Sequence, residues 1–184
     1  MVAFVSNQRE TCRVTPIEFK TRFIASLPPI PDDIDLSLDD FATFPIERVA
    51  CLRISDADRR LLAECGLPFD AAPFLSLGLS TDRVLMPLHD LPDSVVIGHN
   101  GSGDMICIDQ AATGAVVYYN HDNHMQRVFM NSSVLQFAEC LCLFSEFMRT
   151  KDAETFTRHV ELVDSPALAA GTFWPNEVRC ELDI

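Results

Sequence analysis

Between Val95 and Met130 the apolar residues come in short runs broken by polar stops. Val95-Val96-Ile97 ends at Gly98-His99-Asn100-Gly101-Ser102-Gly103. Met105-Ile106-Cys107-Ile108 ends at Asp109, and Gly114 opens Ala115-Val116-Val117-Tyr118-Tyr119. After Asn120-His121-Asp122-Asn123-His124 comes Val128-Phe129-Met130. Runs of this length, rich in β-branched and aromatic residues and bounded by turn formers, predict strands. Ile106-x-Ile108 and Val116-x-Tyr118 flank a loop whose Gly114 suits a positive φ, which predicts an antiparallel hairpin. Upstream, Phe74, Leu75, Leu77 and Leu79, then Val84-Leu85-Met86 before Pro87, begin the extended half.

The period then changes. From Asn131 or Ser132, the positions Val134, Leu135, Ala138, Leu141, Cys142, Ser145 and Met148 recur at helical spacing. Phe137, Phe144 and Phe147 widen that stripe. This helix is expected to lie across the sheet and to be buried on more than one side. A further helix is predicted from Ala153 to Val163, stopped by Pro166, with Phe173-Trp174-Pro175-Asn176-Glu177 leading into a short last piece. Near the start, Thr15-Pro16-Ile17-Glu18 has the form of a capping box with proline at the first helical position. Phe23, Ile24 and Leu27 share a predicted face, and Pro28-Pro29 ends it. Ser55 caps a second helix, with Asp56 and Asp58 in its first turn, Leu61, Leu62 and Cys65 as apolar positions and Gly66 as C-cap.

Composition narrows the classes. With 184 residues, 48% of them hydrophobic, the chain suits one domain with a sizeable core. No run approaches the roughly 18 apolar residues of a membrane span. The 27 acids against 14 bases give a net charge of −13, which opposes binding to a phosphate backbone and favours a basic protein partner. Its bland reading is solubility. Seven cysteines, mostly among apolar neighbours, fit reduced, buried thiols, and Met1-Val2-Ala3-Phe4-Val5 lacks the pattern of a secretion signal. The expectation is a cytoplasmic protein.

Candidate chemistry is thin. Asp32, Asp33, Asp35, Asp39 and Asp40 occur with no Lys or Arg among them, and Ile34, Leu36 and Leu38 alternate between them. The segment reads as an edge strand with an anionic outer row or as a solvated linker. His121 and His124 are three apart, with His99 and Cys107 near in sequence. A zinc site wants three or four ligands, and Cys140 and Cys142 point roughly 200° apart on a helix. The glycine-rich stretch 98–103 precedes a strand rather than a helix N-terminus and lacks the Gly-Lys-Ser/Thr ending, so it reads as a tight turn. Cys65 or Cys107 with His99 or His121 is the remaining nucleophile arrangement, but a strand-borne Cys107 is expected to face the core and be inert.

Several of these residues form a pattern in order. Cys65-Gly66-Leu67-Pro68, Phe74, Ile97-Gly98, Ile106-Cys107-Ile108-Asp109, Thr113-Gly114 with Val116, and Asn131-Ser132-Ser133 before an apolar helix resemble the SUKH superfamily (Smi/Knr-like). The pattern is closest to its fourth branch, the immunity proteins of bacterial polymorphic toxin systems. The resemblance runs from Ser55 to Val163. It implies a single α+β domain with a twisted, largely antiparallel central sheet and helices packed around it. Residues 1–54 then form an N-terminal helix and acidic segment, 55–164 the core, and 165–184 a C-terminal extension. It also implies non-enzymatic work without cofactor or metal: binding and neutralising a cognate basic toxin, a nuclease or nucleic-acid deaminase. A regulatory adaptor or small-molecule sensor on the same fold is the alternative, and a hydrolase or metal enzyme the next. Asp32, Asp33, Asp35, Asp39 and Asp40 are the first candidate contacts. His99, Asn100, His121, Asp122 and His124, on loops beside a rigid sheet, come second.

Overall fold

The computed structural model describes residues 15–29, 37–78 and 85–183. The candidates Asp32, Asp33 and Asp35, together with Ile34, Leu36, Leu79 and Val84, lie outside the described residues.

Helix α1 (Pro16–Ser26) begins as its sequence dictates. Thr15 accepts from the Glu18 N–H, and Glu18 reaches back to the Thr15 N–H at 2.8 Å. Its buried face is Phe19, Phe23 and Ser26, while Ile24 is turned outward, so the core stripe lies one step from the predicted one. A two-residue β1 (Phe41–Ala42) and a single-turn α2 (Ile46–Val49) lead to α3 (Asp56–Arg60), capped by Ser55 as expected. The last turn of that helix, Leu61–Cys65, widens to a π-turn. Gly66 ends it at φ 78°, donating its N–H to Leu61 O at 2.7 Å. Strand β2 (Leu67–Pro68) pairs with β1.

Among the described residues the main sheet has seven strands, all paired antiparallel. They are β3 (Asp70–Ala71), β4 (Leu75–Leu77), β5 (Pro87–Leu88), β6 (Leu91–Asn100), β7 (Met105–Asp109), β8 (Ala115–Asn120) and β9 (Gln126–Asn131). The order is β3-β4-β6-β7-β8-β9, with β5 also on β6. The β7–β8 hairpin forms where predicted, with Thr113 and Gly114 at positive φ in its loop. Strand β6 corrects the sequence reading of a corner at Gly98. The strand runs through Gly98, His99 and Asn100, with an irregular register between Val96 and Gly98. Gly98 is needed for close approach rather than for turning, because a Cβ there would fall 2.4 Å from the Ser76 carbonyl oxygen on β4.

Helix α4 (Val134–Thr150), capped by Ser133, is buried over most of its surface, and Phe137, Phe144 and Phe147 of its stripe are within 1% of complete burial. Helix α5 (Ala153–Asp164) packs beside it, followed by a 3-10 turn through Pro166 and by α6 (Phe173–Glu181). The predicted short C-terminal piece is thus a helix, and its Trp174 is fully buried among Phe137, Phe144, Phe156 and Phe173. The helix-facing side of the sheet supplies Val95, Ile97, Ile106, Ile108 and Val116 to this core. Strand alternation puts Val96, Cys107, Val117 and Tyr119 in a smaller cluster on the opposite side. Cys107 is therefore buried as expected, but not in the main core.

Candidate functional site

The turn after β6 and the turn after β8 meet over one carboxylate, Asp104. They are neighbours because Met105, at the start of β7, pairs with Tyr119, near the end of β8. Asp104 is 4% exposed. Its Oδ1 accepts from the His121 backbone N–H at 2.9 Å and from the His121 ring Nδ1–H at 2.6 Å. Its Oδ2 accepts from the Asn100 amide at 3.0 Å. Asn100 Oδ1 in turn accepts from the Ser102 and Asp104 N–H groups. Burial pushes the Asp104 carboxyl up, but the His121 N–H, the Asn100 amide and the His121 ring together hold it below the usual value. The bond to Asp104, helped by Asp122 at 3.3 Å from Nε2, raises His121 above an ordinary histidine.

On the other side of the first turn lies an apolar groove of about 640 Å³. Phe23 of α1, Leu27 at its C-cap, and Met148 and Arg149 of α4 form its helical wall, and the β3–β4 hairpin forms the sheet-edge wall. Phe74 stands at the hairpin tip, 81% exposed and at φ 54°, an uncommon conformation for an aromatic residue. It rests on the backbone of Gly101, where a Cβ would come 2.9 Å from the Phe74 Cβ. Leu38 also lines the groove. The Asp40 carbonyl accepts from the Phe69 N–H at 2.9 Å, placing the exposed Asp39 and Asp40 beside the exposed Asp70. On the helical side Lys151 and Glu181 pair at 2.8 Å.

The sequence candidates thus fall into two groups. Asn100, His121 and Asp122 are joined through Asp104, and the described aspartates Asp39 and Asp40 follow Leu38, which lines the groove. His99 lies half-buried in β6, its Nδ1 bonded to the Asn100 carbonyl oxygen at 3.1 Å. His124 ends the second turn, exposed and at φ 52°. Sequence reasoning passed over Asp104 and Phe74 as site residues. The Asn100-x-x-x-Asp104 spacing around two glycines was a signal for the first. For the second, alternation with core-facing Leu75 and Leu77 already sets Phe74 on the outer side. Among the described residues no three of His, Cys, Asp and Glu converge as a metal site. Burial pushes the Cys65 thiol up, and Cys107 and Cys142 up to about 12, so neither of these last two is a thiolate near neutral pH.

The architecture and the ordered motifs agree with what comparison finds. A family model described as SUKH-4 immunity protein matches residues 37–180, from the described end of the acidic segment to α6. The match is wider than the stretch from Ser55 to Val163 that carried the resemblance, and it takes in Trp174, the β3–β4 hairpin and the α4 part of the groove, but not Phe23 and Leu27. No curated protein and no solved structure matches the chain. With more than three-quarters of its length covered, the chain belongs to the SUKH-4 immunity protein family.

Proposed function

We propose that this protein is a non-enzymatic immunity module that binds a cognate bacterial toxin and holds it inactive in the cytoplasm. The observation that carries the reading is the family match over residues 37–180. The charge of −13 supports a basic partner, of the nuclease or nucleic-acid deaminase type, whose own substrate is a polyanion. The same charge opposes binding of this chain to nucleic acid. No helix among the described residues is long and apolar enough to cross a membrane. The histidine and carboxylate groups around Asp104 act in this reading as a clasp for two turns, not as a proton-transfer pair. A small-molecule sensor on the same fold is the second reading, favoured by the groove.

The test is direct. The neighbouring genes are searched for a nuclease or deaminase domain; that domain is purified, and its activity on nucleic acid is titrated with the protein. Inhibition that saturates at a fixed stoichiometry is expected. Undiminished activity with the protein in large excess would reject the function.

A further inference from the structure

Resting on the immunity reading, we infer that the groove beside Phe74 is the surface that grips the toxin, and that it receives an apolar side chain borne on a cationic loop. Phe74 is the first argument. Its ring is 81% exposed and its backbone is in the left-handed region, so the free chain holds an apolar group in water in a conformation that glycine would adopt more easily. Residues kept in such a state cluster at binding sites, and an aromatic anchor at the lip of a desolvated pocket is the usual centre of an interface.

The groove is the second argument. Its volume of about 640 Å³ exceeds any one side chain of a partner, and its walls of Phe23, Leu27 and Met148 offer apolar contact rather than reactive groups. Charge is the third. Asp39, Asp40 and Asp70 are exposed on the sheet-edge side, and the field of the whole molecule has the same sign. On the helical side Lys151 and Glu181 neutralise each other, and Arg149, which lines the groove, is exposed. A loop carrying lysine or arginine beside an aliphatic or aromatic residue fits this pattern: the cations meet the aspartates, and the apolar residue enters between Phe74 and Met148. Arg149 then faces an acceptor on the loop backbone.

The toxin domain identified by that search is the probe, and affinity is measured by calorimetry. Phe74→Gly is the informative variant, because glycine accepts the φ. The melting temperature is expected to stay level or rise while affinity falls about ten-fold or more. With p-benzoylphenylalanine in place of Phe74, illumination is expected to crosslink the toxin. Asp39, Asp40 and Asp70 changed together to Asn should slow association and flatten its salt dependence. Leu162→Ala, an exposed apolar residue of α5, should leave affinity unchanged. Wild-type binding with undiminished affinity in Phe74→Gly and no crosslink would overturn the groove while the immunity function stands. A small molecule retained in the groove while the toxin is bound would do the same. Wild-type protein that does not bind the toxin overturns both.

Discussion

At the residue scale the carboxylates divide by what they touch. Asp58, Asp104 and Asp164 are buried and spend their oxygens on donors inside the fold, whereas Asp39, Asp40, Asp70 and Asp122 face water. The Asp104–His121 clasp has a defined pH window. Asp104 is lowered in the folded state, so its contribution is present above the ordinary carboxylate pKa and is lost as pH falls through the lowered value. His121 is raised, so its contribution is full below about 6.5 and is lost as pH rises through the raised value. Amide protection at 120–124, relative to the intrinsic exchange rate at each pH, should therefore be greatest between about pH 4 and 6.5, and Asp104→Asn should remove that maximum. Glu177 behaves oppositely. Burial first, then Glu181, pushes its carboxyl up to about 7, so the folded state binds the proton more tightly and stability falls as pH rises toward that value. Glu177→Gln should flatten the fall in urea titrations run across that range.

At the element scale, α4 is held at its N-terminus by residues far away in sequence. Asp58, from α3, accepts from the Leu135 N–H at 2.8 Å, adding to the local Ser133 cap. Behind it, Asp164 accepts from Ser132 N, Ser132 Oγ and Asn131 Nδ2, and Trp174 Nε1–H donates to Asn131 Oδ1 at 2.9 Å. This node ties β9, α4, α5 and α6 together. Trp174→Phe keeps most of the packing but leaves a buried acceptor unpaired, so a loss of about 1–3 kcal/mol is expected in urea unfolding. Leu162→Ala, on the surface, should stay within about 0.5 kcal/mol of wild type. The existence of α1, α3, α4 and the β7–β8 hairpin was legible because caps, period and turn residues are local signals. Gly98 misled because a glycine needed for backbone approach and one needed for a turn look alike until the partner strand is known. Trp174 likewise reads as part of a short tail until α6 folds back onto Phe137 and Phe144.

At the scale of the whole molecule, the net charge of −13 survives folding as a surface property because the buried carboxylates are few. Changing Asp32, Asp33, Asp35, Asp39 and Asp40 to Asn should slow association with the toxin and weaken its dependence on ionic strength; stopped-flow rates at two salt concentrations measure both. Unchanged rates would remove the acidic segment from the contact. By itself the sequence determined the α+β class, the antiparallel hairpins, the buried helix α4, the acidic balance and the family pattern, since each depends on near neighbours or on sums over the chain. The tertiary structure alone decided which polar residues meet. Asp104 reaches His121 across seventeen positions, and Phe74, Gly101, Leu38 and Met148 border one groove only because β4 pairs with β6 and α4 crosses behind them. Such meetings depend on strand register and helix packing, which no local run of residues encodes.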